Sequence, residues 1–97
     1  MAMYFLMYHV MPTADNDAGP EMKGAYANCL ILSNSMDKAE EIARLKINEL
    51  DWQIIDFEEG YEVIKADYID NAKGMEMYEQ ALVDKEVYTF HTYTFKS

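Results

Sequence analysis

Between residues 35 and 50 the apolar positions recur with the spacing of a helix. At about 100 degrees per residue, Met36, Ala39, Ile42, Ala43, Ile47 and Leu50 form one stripe, with Glu40, Glu41, Arg44 and Asn48 opposite. Ser35 is placed to cap the first turn, and Asp37, Glu40 and Glu41 sit near the positive end of the helix dipole. Glu40 and Arg44, four apart, predict a surface pair worth about 0.3–0.5 kcal/mol. Two residues break the pattern: Lys46 projects from the stripe and Leu45 from the polar side. A lysine stem laid along a sheet with its ammonium in water accounts for Lys46. A lysine facing an anionic ligand or a partner carboxylate is the sharper alternative.

Elsewhere the period is two. Residues 2 to 11 place Met3, Phe5, Met7, His9 and Met11 on one side of a strand and Tyr4, Leu6, Tyr8 and Val10 on the other. Both faces are apolar, so this strand is either central in its sheet or covered by a second subunit. Ala25 to Leu32 predicts a second strand, with Ala25, Ala27, Cys29 and Ile31 on a small-residue face where a helix can pack closely. Asn28 is the polar exception on the other face; buried, it needs hydrogen-bond partners, from a neighbouring strand or from a ligand. Trp52 to Phe57 gives a third strand, Glu58-Glu59-Gly60 a turn, and Tyr61 to Lys65 a short fourth strand. Ala72 to Asp84 predicts a second helix with Met75, Tyr78, Ala81 and Leu82 inward, and Glu86 to Phe95 a last, strongly β-prone strand.

From residue 25 onward the order is β-α-β-β-α-β, that of the ferredoxin-like split motif. The predicted fold is therefore α+β: a ferredoxin-like antiparallel sheet with an additional N-terminal strand. Right-handed crossovers place both helices on one face, and the last strand beside Ala25 to Leu32. The N-terminal strand then extends the sheet at an edge or pairs across a dimer. A helix-covered face with an apolar open face predicts a homodimer.

Composition narrows the function classes. Ninety-seven residues make one domain, with eighteen acidic against eight basic residues and a formal charge of −10. That charge repels phosphate backbones and anionic lipid, so nucleic acid and membrane are poor partners and a basic protein is a better one. Residues 49 to 70 hold eight acidic residues against Lys65 alone. No apolar stretch reaches bilayer length, Met1 to Met11 lacks the features of a signal peptide, and a single cysteine forms no internal disulfide; a cytoplasmic location is expected. Eight Met and eight Tyr suit a core that continues into an interface, or a Met-rich core alone.

Catalytic signatures are absent: there is no phosphate-cradling loop, no Gly-x-Ser-x-Gly elbow and no Cys-x-x-Cys. Asp15-Asn16-Asp17 hints at calcium, but Gly19 falls where a calcium loop needs a ligand. His9, His91 and Cys29 lack the close pairing of zinc ligands, so neither metal nor cofactor is expected. His9 and His91 packed among aromatic residues, or one of them acting as a base in a pocket, are the two readings of the histidines.

Gly24-Ala25-Tyr26-Ala27-Asn28-Cys29, the helix into Asp51-Trp52, Asp67-Tyr68 with Asp70-Asn71, Tyr78 to Leu82 and Phe90-His91-Thr92-Tyr93 together resemble a family of short, acidic, uncharacterised bacterial proteins, a domain of unknown function. Relatives carry Gly near Lys85 and Trp near Tyr93. The resemblance implies a bacterial cytoplasmic protein and brings no activity. It directs attention to Asn28, Cys29, Trp52, Asp67, Tyr68 and His91. With His9 and Lys46 added, His9, Asn28, Lys46, Trp52, Asp67, Tyr68 and His91 are the candidate ligand- or partner-binding residues. The leading expectation is a noncatalytic protein-binding or regulatory domain acting as a dimer. The alternative is a small-ligand-binding protein or enzyme of the ferredoxin-like dimer type, with a pocket between helices and sheet.

Overall fold

The computed structural model describes residues 1–16 and 22–94. Asp17 and Gly19 of the acidic loop, and Phe95 at the end of the last predicted strand, lie outside them. Four antiparallel strands form one sheet in the order β3-β1-β2-β4, where β1 is Ala2–Pro12, β2 Met22–Ser33, β3 Trp52–Val63 and β4 Glu86–Thr94. Helix α1 is Met36–Glu49 and α2 Ala72–Asp84, the latter preceded by a 3-10 turn at Lys65–Tyr68. The expected Ser35 cap forms, its Oγ accepting from Lys38 N–H at 3.1 Å, and α2 is capped by Asn71, whose Oδ1 accepts from Gly74 N–H at 2.9 Å.

The α+β class and the antiparallel sheet with two helices stand, and β4 does lie beside β2. The strand count and the placing of the helices differ from expectation. No turn forms at Glu58-Glu59-Gly60; Glu59, Gly60 and Tyr61 pair with Met7, Leu6 and Phe5, so residues 52 to 63 stay one strand. Extended pairing against an apolar central strand satisfies their backbone, where a turn would leave β1 with an open edge. β1 is thus central, not at an edge, which explains its two apolar faces.

Losing one chain reversal also frees the second helix from the handedness rule. Since β2 and β3 both run antiparallel to β1, they are parallel to each other and α1 is a crossover between parallel strands. β4 is antiparallel to β2 and hence to β3, so the rule does not govern α2. The two helices lie on opposite faces. On one, Ala39, Ala43 and Ile47 of α1 pack with Leu6, Tyr8, Val10, Ala25, Ala27, Cys29, Ile31 and Trp52. On the other, Ala81 of α2 packs with Met3, Leu30 and Val63, joined by Phe5, Leu32, Met77, Tyr78 and Val87.

β3 ends beside Met3, and β4 begins beside Ile31, at the same end of the sheet. Helix α2 therefore only crosses from edge to edge at that end. Its inner face is Met77, Tyr78 and Ala81, while Met75 and Leu82, expected inward, turn away: Met75 lines an outer groove and Leu82 is exposed. Among the described residues no helix lies over the other half of this sheet face.

A candidate site on the uncovered half of the sheet

One register row crosses all four strands on the uncovered half: Asp56, His9, Tyr26 and His91 are successive partners on β3, β1, β2 and β4. His9 stacks on Tyr26 with ring centroids 4.9 Å apart and planes 17° from parallel. Its Nε2 is hydrogen-bonded to the Tyr93 hydroxyl. Gly24 makes this possible, since a Cβ there would stand 2.6 Å from the Tyr93 hydroxyl and 2.8 Å from the Val10 carbonyl oxygen.

On the other side of His9, β3 is bulged. Its register against β1 shifts on either side of the Asp56–Phe57 pairs, leaving Ile55 and Glu58 without a partner. The bulge brings Glu58 close to Asp56 and His9, and one donor atom from each of the three residues lies within 4.8 Å of the others. His9 is half-buried; both carboxylates are exposed. An imidazole nitrogen flanked by two carboxylate oxygens can hold a proton or a cation.

A second feature lies under the start of α2. A cavity of about 180 Å³ is lined by Phe5, Asn28, Leu30, Tyr68, Asn71, Lys73, Gly74 and Met77. Asn28 Oδ1 is buried without a hydrogen-bond partner among the described residues, which costs on the order of 1–3 kcal/mol. Gly74 fits here because a Cβ would collide with the Tyr68 ring. Burial first, then the charges of Tyr61 and Asp67, push the Tyr68 hydroxyl above its ordinary value, so Tyr68 stays a neutral donor.

A third feature is the outer side of α2, where Tyr68, Ile69, Ala72, Met75 and Val83 floor an open groove and Glu76, Glu79 and Gln80 complete its lining. Ile69 is 77% and Val83 75% exposed.

The seven residues singled out by sequence divide among these places. His9 and His91 share the uncovered half, with Tyr26 between them in the row. Asn28 and Tyr68 meet in the cavity. Asp67 is structural, its Oδ2 accepting from Ile64 N–H at 2.9 Å to close the 3-10 turn. Trp52 belongs to the α1 face, where it lies across the small residues of β2 to stack on Phe90, centroids 5.2 Å apart. Lys46 is half-buried on α1, hence on the opposite face from Asn28 and the histidines.

Sequence reasoning passed over Asp56, Glu58 and Tyr93. The Asp-x-Glu alternation was visible; its partner His9, 47 positions earlier, needed the strand order to be found. No helix among the described residues is long and apolar enough to cross a membrane. No family model matches the chain, and neither a curated protein nor a solved structure does.

Proposed function

We propose that the chain is a noncatalytic protein-binding or regulatory domain that takes a basic partner on the outer side of α2. The observation that carries this reading is the groove itself. Two large aliphatic side chains, Ile69 and Val83, stand in solvent beside Glu76 and Glu79, on a chain of net charge −10. Exposed apolar floors rimmed by charge mark interaction surfaces, and an amphipathic helix with basic flanks satisfies both parts of this one.

The test is fluorescence anisotropy with a labelled amphipathic peptide carrying leucines on one helical face and lysines on the other. Saturable binding that weakens with salt and is lost in Val83→Glu is expected. Binding that is absent, or unchanged by that substitution, overturns the proposal.

Self-association fits the β4 edge. From Val87 to Thr94 that edge strand carries no acidic or basic residue apart from His91, whereas β3 at the opposite edge carries Asp56, Glu58, Glu59 and Glu62. Like charges keep β3 edges apart, and an uncharged edge is the one that pairs. Sedimentation showing only monomer at micromolar concentration removes the dimer from this reading.

The Asn28 cavity supports a second reading, a small-ligand site between helix and sheet. A molecule with an apolar body and one N–H or O–H donor would sit among Phe5, Leu30 and Met77 and satisfy Asn28 Oδ1. Thermal-shift screening with indole and phenol, in wild type and Asn28→Leu, separates the two readings. Stabilisation confined to the wild type supports the ligand site.

A further inference from the structure

We infer that His9, Asp56 and Glu58 form a binding site for one divalent first-row transition-metal ion, on the sheet half away from the α2 groove and independent of the partner reading. The donor set selects the class. Oxygen-only clusters suit calcium and magnesium, while an imidazole nitrogen beside carboxylates suits zinc, cobalt, nickel or iron.

Distances are within reach of such a site. Around one ion with bonds of about 2.0–2.2 Å, neighbouring ligand atoms stand roughly 3–3.5 Å apart. Here the three donors lie within 4.8 Å of one another, and the two that must close in are carboxylates on exposed side chains. Rotation about their own bonds covers the difference without moving the sheet.

The imidazole, by contrast, is already held. Tyr26 stacks against its plane and the Tyr93 hydroxyl fixes Nε2, an arrangement of the kind that orients metal-ligating histidines. The gap at Gly24 lets Tyr93 reach that position. Glu58 owes its place to the bulge, a device that re-aims a side chain beside functional sites. The uncovered half gives an ion a path from solvent, and the eight acidic residues between 49 and 70 draw cations toward it.

Isothermal titration of the untagged chain with zinc chloride tests the site. One saturable equivalent is expected, with affinity falling about tenfold or more in His9→Ala and in Glu58→Gln, and about tenfold in Tyr93→Phe. His91→Ala, in the same register row, and Glu62→Gln, an acidic residue outside the cluster, leave the affinity unchanged. Cobalt binding provides a second readout, through visible absorption present in wild type and lost in His9→Ala. Circular dichroism confirms folding; should His9→Ala not fold, Glu58→Gln at the exposed bulge decides the question. Absence of saturable binding, or equal losses in His91→Ala and His9→Ala, overturns the site.

Discussion

The two faces of the sheet spend the same four strands differently. Under α1 the floor is built from Ala25, Ala27 and Cys29 and the helix contributes Ala39 and Ala43, so backbone meets backbone closely; all five residues are fully buried. Tyr8 and Trp52 then fill what the small residues leave, Tyr8 with Arg44 over its ring at 5.3 Å. The α2 face carries larger and more polar side chains, and its helix covers one end. Close packing concentrates stability on the first face, while the second keeps polar groups beside solvent where they can act.

Leu6 is fully buried on the α1 face, where the largest loss is expected. Leu6→Ala is expected to cost about 2–5 kcal/mol in urea denaturation. If Tyr26→Ala on the uncovered half cost as much, the two faces would be equivalent and the contrast would fail. Next, Ala43→Leu forces a larger side chain between helix and sheet and should cost about 1–3 kcal/mol.

Alkali probes the same face. The Tyr8 hydroxyl and the Cys29 thiol are each pushed up to about 12, above ordinary values of 10.0 and 9.0, chiefly by burial. Arg44 opposes the shift at Tyr8, and Glu86 adds to it at Cys29. Both are neutral when protonated, and folding favours the protonated form. Their stabilisation is therefore complete below about pH 9 and is lost as pH rises through about 12. Thermal melts should show Tm falling across that window, with the early part of the fall reduced in Cys29→Ala.

Smaller effects are expected on the α2 face. Tyr26→Ala removes a ring stacked on His9 and should cost about 0.5–1.5 kcal/mol. Asn28→Leu removes an oxygen that has no partner among the described residues, so its cost should lie near zero or reverse sign by the same denaturation.

Much of the fold was legible locally. The stripe from Ala39 to Ile47, the Ser35 cap, the Glu40–Arg44 pair at 3.8 Å and the span of α2 all follow from patterns within one turn or one strand. What local pattern misjudged was Glu58-Glu59-Gly60, where turn-forming chemistry gave way to the demand of β1 for a second partner. That one misreading carried the others: strand count, the position of β1 and the face taken by α2. The candidate site was less legible, since its donors come from β1 and β3, and a bulge in the register decides which side chains meet.

Both helices return the chain to the sheet through a left-handed residue that is not glycine, Asp51 at φ 65° and Lys85 at φ 76°. At Asp51 the strain is anchored, because its carbonyl oxygen accepts from Thr13 N–H and Oγ1 and from Asn16 Nδ2, tying the β1 exit to the α1 exit. Lys85 has a plainer role: its N–H closes the last turn of α2 on the Ala81 carbonyl oxygen, and its carbonyl receives Leu32 N–H. Glycine would adopt that backbone without a Cβ penalty, at a gain of about 1 kcal/mol in the folded chain set against its greater freedom when unfolded. At this exposed position the two terms are of similar size, so a lysine can hold the left-handed turn without a large loss of stability.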